Sequence, residues 1–315
     1  MTTVLPDAMP ANWVDRHAPA SLRPWLKLGR FDRPTGIWLL MLPGWQSIAL
    51  AAAERGQWPN PWLLLAFLIG ASLMRAAGCA FNDIVDRDFD AQVARTAKRP
   101  IPAGQITVKQ AWGFIVGCSL ISLAILISMG WLAVGLGVLS LALVAGYPFM
   151  KRITWWPQAW LGLTFNWGAL LGYAAATHTL SWSAALLYVG GLAWTLGYDT
   201  IYAVQDLEDD ALAGVKSSAR RLGTAAQRGV FGFYVAAFAL AVAAAWAGGL
   251  GPLFLPLVAA YAVHLSWQAS RLRLDDPRLA LALFKSNTWA ALILFAALIA
   301  GMWRPAVQAI TGFGG

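Results

Sequence analysis

Nine of the fifteen acidic residues in this 315-residue chain crowd into two short segments. In the first, Asn82 to Asp90, the residues Asn82, Asp86 and Asp90 stand at i, i+4 and i+8, and Asp83 lies seven before Asp90. In the second, Tyr198 to Asp210, the same spacing recurs at Tyr202, Asp206 and Asp210, with Asp199 seven before Asp206. On a helix that spacing stacks side chains in one column. Carboxylates one turn apart repel each other, so columns this dense call for a neutralising cation. Mg²⁺ is suited to the task, because it sits on one or two carboxylates while bridging substrate phosphates. Cations for the phosphate itself are close by: Arg95, Lys98 and Arg99 follow the first segment, and Lys151, Arg152 and Lys216 fall in neighbouring loops. Guanidinium forks and ammonium groups match diphosphate oxygens. Solvated acidic faces and topogenic positive charge are the plainer readings of either group alone; two matched columns beside basic loops favour metal-assisted handling of a diphosphate.

These columns emerge from apolar runs. The chain is 59% hydrophobic and only 12% charged, with 18 Trp and a mean hydropathy of +0.58, too few polar side chains to cover a soluble globule. Runs long enough to cross a bilayer as helices fall at Gly36–Ala53, Pro61–Phe81, Thr107–Gly130, Trp131–Met150, Pro157–Thr177, Ser181–Ala203, Gln227–Gly248, Pro252–Ser270 and Leu279–Trp303. Lipid leaves unpaired backbone groups without water, and no short alternating strands are present, so helices are predicted rather than a barrel. The expected fold is all-α: a polytopic membrane protein of nine helices over residues 36–303, with an N-terminal segment 1–35 and a short tail 304–315.

Twenty of the 23 Lys and Arg residues lie in the N-terminal segment or in loops after even-numbered spans; Arg55 and Arg304 lie on the other side and Arg75 within a span. That bias predicts a cytoplasmic N-terminus and active-site loops and a periplasmic C-terminus. It also accounts for the net charge of +8 without a nucleic-acid partner. The first thirty residues, with Asp7, Asp15 and several prolines, lack the features of a signal peptide or a mitochondrial presequence, so a bacterial inner membrane is expected. Arg75 and Asp199, ionisable residues at membrane depth, are functional candidates by their desolvation cost alone. Cys79 and Cys118 lack metal-site spacing and read as packing residues.

Asn82–Asp90 reads NDxxDxxxD and Asp206–Asp210 reads DxxxD. Together they resemble the two signature motifs of UbiA-type intramembrane aromatic prenyltransferases. Within that superfamily, three further stretches are similar to the 4-hydroxybenzoate polyprenyltransferases of ubiquinone biosynthesis: LMRAAGCAFND (Leu73–Asp83), YPFMKR with its following WPQ (Tyr147–Arg152, Trp156–Gln158), and YDTIYAVQDLEDD continuing to GVKS (Tyr198–Asp210, Gly214–Ser217). Glu208 departs from an all-aspartate run, but it falls between the DxxxD positions.

The resemblance implies a helix bundle around a central cavity, capped on the cytoplasmic side by the motif loops. Asn82, Asp86, Asp206 and Asp210 would hold Mg²⁺ on the diphosphate of a polyprenyl donor, with Asp83 and Asp90 in support and Arg95, Arg99, Lys151 and Lys216 on the phosphate oxygens. Ionising an allylic diphosphate separates an anionic leaving group from a carbocation, so metal and basic groups stabilise the charge developing on oxygen. The apolar interior, in contact with membrane lipid, would take the isoprenoid tail and exclude water, and Tyr147 and Tyr202 could face the cation. The implied acceptor is 4-hydroxybenzoate. Its carboxylate needs a cation, and Arg152, Arg75 and Arg33 are equal candidates at this point; Asp199 is the candidate for orienting or deprotonating the phenol. Other acceptors, such as homogentisate, a naphthoate or haem, remain open, as does a transporter, although the carboxylates cluster at one face and no inverted pair of broken helices is visible. Prenyl chain length and protein partners are not legible.

Overall fold

The computed structural model describes residues 12–92, 96–207, 211 and 214–304, so Arg95 and Asp210 lie outside the described residues. Within them there are no strands, and nine helices run 18 to 25 residues: α1 (Thr35–Ala53), α2 (Pro61–Val85), α3 (Val108–Ile127), α4 (Trp131–Ile153), α5 (Pro157–Thr177), α6 (Trp182–Ala203), α7 (Ala226–Ala247), α8 (Phe254–Arg271) and α9 (Pro277–Ala300). Their starts follow from local chemistry. Asn60 accepts from the Trp62 amide ahead of Pro61, Thr107 and Gln110 form a reciprocal capping box, and the Asp276 side chain accepts from the Leu279 amide.

Six helical stretches are long and apolar enough to cross a membrane: α1, α2, α3, α4, α9, and Ser218–Ala247, which contains α7. The other three expected spans, α5, α6 and α8, have the length but a diluted hydropathy. They carry Gln158 and Asn166, Thr195 and Asp199, and His264 and Gln268. Polar side chains are tolerated there because they meet protein partners or the cavity.

Consecutive helices pack on one another around a ring, and α9 closes it against α1. The ring is pinched across its middle, where α1 packs directly on α5. Glycines permit the pinch: a Cβ at Gly168 would lie 3.3 Å from the Gly44 nitrogen, and one at Gly172 would lie 2.6 Å from the Gly44 carbonyl oxygen. Two lobes result. The α6–α9 lobe is solid, and its buried polar groups satisfy one another: Trp194 donates to Asn287 at 2.9 Å, while Tyr234 and Asn287 donate to Gln268 at 2.6 and 3.0 Å. The lobe bounded by α2, α3, α4 and α5 is hollow.

At one end the hollow lobe is floored by an apolar cluster of Ile48, Leu63, Phe67, Met129 and Ala175. At the same end of α1, Glu54 accepts from the Tyr173 hydroxyl at 2.6 Å and from Ser183, while Arg304 donates to the Glu54 and Gly248 carbonyls at 3.0 and 3.3 Å. At the opposite end the N-terminal segment straps across α2: Leu28 packs with Ala80 and Ile84, Trp25 lies 5.9 Å from Phe114, and Lys27 pairs with Asp15 at 2.7 Å.

Candidate functional site

The hollow lobe is a cavity of about 750 Å³ whose mouth is polar and whose depth is apolar. Asn82, Asp83, Asp86, Asp90, Arg99, Lys151, Asp206 and Lys216 ring the mouth; Arg33, Arg75, Tyr147, Asp199 and Tyr202 also line it. Thus the two motif segments, far apart in sequence, meet at one opening. The columns themselves are less regular than the spacing predicted. The helix carrying the first does not end at Phe81 but continues to Val85; Asp86 caps it, and a separate short helix, Arg87–Asp90, follows. In the second, the helix gives way after Ala203 to a 3-10 turn, Val204–Asp206.

The acids are not bare. Asp86 receives Lys151 Nζ at 2.6 Å, Arg152 Nη2 at 3.3 Å and the Asn82 amide at 3.3 Å. Asp83, fully buried, takes Arg30 Nη2 on both oxygens at 2.6 and 2.9 Å and Arg99 Nη1 at 3.2 Å. The same Arg99 nitrogen reaches Asp90 at 2.6 Å. Burial pushes the Asp90 carboxyl above its usual range, and Arg99 offsets only part of that. Lys216 turns its ammonium to the Ile153 carbonyl at 3.2 Å, while its backbone amide donates to the Lys151 carbonyl at 3.1 Å, joining the loop after the second motif to the end of α4. Ser218 N donates to Gln158 at 3.0 Å and fixes the same loop to α5.

No three carboxylate, histidine or cysteine side chains converge among the described residues. The donor chemistry at the mouth still fits a hard divalent ion, since Asp86 and Asp206 carry carboxylate oxygens and Asn82 an amide oxygen. Arg152 stands apart from the cavity lining, pairs with Asp86, and is 58% exposed in its side chain.

Deeper in, Arg75 and Asp199 face the cavity and are near enough to act on each other electrostatically. The Arg75 guanidinium carbon lies 5.3 Å from the Phe165 ring centroid, and its buried Nε has no hydrogen-bond partner among the described residues. Tyr202 packs on Phe284 at 4.5 Å. Cys79 and Cys118 are buried free thiols, as expected of packing residues. Sequence reasoning passed over Arg30, counting it as topogenic charge. The signal was the cluster Arg30, Asp32 and Arg33 immediately ahead of the first apolar run.

The family model for the UbiA prenyltransferase family matches residues 40–292. Relatives named "4-hydroxybenzoate polyprenyltransferase, mitochondrial" are similar over most of the chain. The Caenorhabditis elegans protein is 45% identical, with 90% of this chain and 80% of the relative covered; the human protein is 44% identical, with 91% and 78% covered. Among solved structures, the apo UbiA homolog from Aeropyrum pernix K1 superposes with a TM-score of 0.71 at 28% identity, covering 84% of this chain and 98% of that one. A UbiA homolog from Archaeoglobus fulgidus bound to GPP and Mg²⁺ gives 0.63 at 18% identity, covering 88% and 99%. The expected bacterial inner membrane is overturned by the mitochondrial relatives, which point to a mitochondrial membrane. That expectation rested on the acidic residues and prolines of the first thirty positions, which do not identify a membrane, and the Lys and Arg bias reports only which side of a bilayer a loop occupies. With more than half its length matched by the family model and close relatives along nine-tenths of it, the chain belongs to the UbiA prenyltransferase family.

Proposed function

We propose that the protein transfers the prenyl group of a polyprenyl diphosphate to the ring carbon ortho to the hydroxyl of 4-hydroxybenzoate, with Mg²⁺, as a step of ubiquinone biosynthesis. The observation that carries this is a single cavity joining an acid-and-base mouth to an apolar depth, with an arginine and an aspartate at the junction. Bound Mg²⁺ would supply charge neutralisation for the departing diphosphate, held by Asn82, Asp86, Asp206 and Asp210. Lys151, Lys216, Arg99 and Arg95 would meet the remaining phosphate oxygens, with Asp83 and Asp90 holding Arg99 in place.

In the reaction the bond from the allylic carbon to the diphosphate oxygen breaks, a bond forms from that carbon to the acceptor ring, and the ring proton leaves. Asp199 would orient the acceptor phenol or take its proton. Arg75 would take the carboxylate, because it lines the cavity close to Asp199, whereas Arg152 is not part of that lining. Arg33, which pairs with Asp32 at 3.1 Å, lies further along the same wall, and Arg152 acts from outside it through Asp86. Tyr147 and Tyr202 present aromatic faces where the carbocation forms.

From Asn82 down to Ala66 the α2 wall of the cavity runs for about 24 Å at 1.5 Å per residue, room for several isoprene units away from water. The lining residues Leu120, Val138 and Leu141 are exposed although apolar, which suits a depth open to lipid.

The test is prenylation of 4-hydroxybenzoate by membranes containing the protein, with Mg²⁺ or a chelator and an Asp86→Ala control. Metal-dependent 3-polyprenyl-4-hydroxybenzoate, lost in the variant, is the expected result. Donor cleavage that needs Asp86 but yields no prenylated 4-hydroxybenzoate would rule out this acceptor.

A further inference from the structure

Arg30 and His178 are the two non-glycine residues with positive φ among the described residues, at 59° and 58°. His178 simply caps α5. Arg30 differs. The short helix Arg23–Leu28 ends in a paired-hydrogen-bond turn, with Phe31 N donating to the Leu26 carbonyl at 2.9 Å and Arg30 N to the Lys27 carbonyl at 3.1 Å. In that motif the residue after the cap adopts the left-handed conformation, and glycine is the usual occupant because a Cβ is sterically penalised there. An arginine at this position meets a penalty that glycine would avoid. Strained residues of this kind persist when their side chain is needed.

The need is visible at Asp83. The Arg30 side chain is buried, donates through Nη1 to the Lys27 carbonyl at 3.0 Å, and grips both Asp83 oxygens through Nη2. Asp83 sits in the last turn of α2, one residue after Asn82 and three before Asp86. With Arg99 also on it, this carboxylate is engaged by two guanidinium groups. Resting on the function proposed above, we infer that Arg30 is a positioning residue. It anchors the strap to Asp83 and thereby holds Asn82 and Asp86 in register for the metal-bound diphosphate headgroup.

Arg30→Gly separates the two roles, because glycine suits the turn and removes the grip. The measurement is Mg²⁺-dependent binding of geranyl thiodiphosphate, an unreactive donor analogue, to the purified full chain. Wild type, Arg30→Gly, Arg30→Lys, Asp83→Ala and the Arg30→Gly/Asp83→Ala pair are compared, with thermal unfolding recorded for each. Arg30→Gly is expected to weaken binding at least tenfold without lowering the unfolding midpoint, Arg30→Lys to recover part of the loss, and the pair to bind no worse than Asp83→Ala alone. Wild-type binding by Arg30→Gly would overturn the inference alone. So would losses that multiply in the pair, since Arg30 would then act on the ligand directly. A wild-type protein that bound no diphosphate would overturn the functional proposal and this inference together.

Discussion

Gly36 leaves the space that the Arg75 guanidinium occupies: a Cβ at Gly36 would lie 2.9 Å from both Nε and Nη2. The start of α1 and the middle of α2 therefore share one small volume at the junction of the cavity, and the size of residue 36 sets where the Arg75 charge sits. A methyl group there has a flexible side-chain end to push against, so Gly36→Ala should fold normally while displacing the guanidinium. The Michaelis constant for 4-hydroxybenzoate is expected to rise roughly three- to tenfold, with donor affinity unchanged, in steady-state assays varying each substrate separately. An equal change in both constants would remove Arg75 from acceptor binding.

Arg75→Ala removes the donor itself. A charge-assisted contact of this kind is worth about 2 kcal/mol, roughly thirtyfold in the Michaelis constant for the aromatic acid. A neutral acceptor lacking the carboxylate should be indifferent to the substitution. Comparing 4-hydroxybenzoate with such a phenol in wild type and variant checks this, and an equal loss on both acceptors would reject it.

The strap is expected to loosen in acid. Burial alone would raise the Asp15 carboxyl, yet the hydrogen bond and charge of Lys27 and the amide of Asn12 hold it below its usual range. A carboxyl depressed in the folded state contributes stability above its unfolded value, about 3.9, and that contribution disappears as pH falls through the lower folded value. Hydrogen exchange of residues 13–28 should therefore be pH-corrected flat from neutrality to about pH 5 and accelerate below about pH 4. Asp15→Asn should abolish the acid step; a step unchanged in that variant would assign it elsewhere.

Gly172→Ala tests the pinch between the lobes. Its Cβ would press on the Gly44 carbonyl oxygen at 2.6 Å, a backbone group with nowhere to swing. Overpacking of this type costs about 1–3 kcal/mol, so the unfolding midpoint in detergent should drop by several degrees, and Gly70→Ala, where nothing lies within 4 Å, should not shift it downward comparably. Equal midpoints for both variants would mean that α1 and α5 part easily.

Much of this was readable beforehand because lipid makes strong demands. Apolar runs located the nine long helices to within a few residues, and the two acidic segments that the spacing singles out meet at one mouth through Asn82, Asp86 and Asp206. What could not be read depends on contacts between distant segments. Nothing in the spacing of Arg30 and Asp83, 53 residues apart, announces an ion pair, and the periodicity of α1 and α5 does not say that they cross the ring and divide it into a solid and a hollow half. The choice of Arg75 over Arg152 for the acceptor rests on which of them lines the cavity, which sequence does not display.

The apolar floor under the cavity, with the Glu54 tie at that end of α1, makes the hollow lobe a blind cup. Charged species admitted at the mouth meet Phe67 and Met129 before they could reach the other face. A diphosphate set free at that mouth therefore leaves on the side by which the donor's headgroup entered.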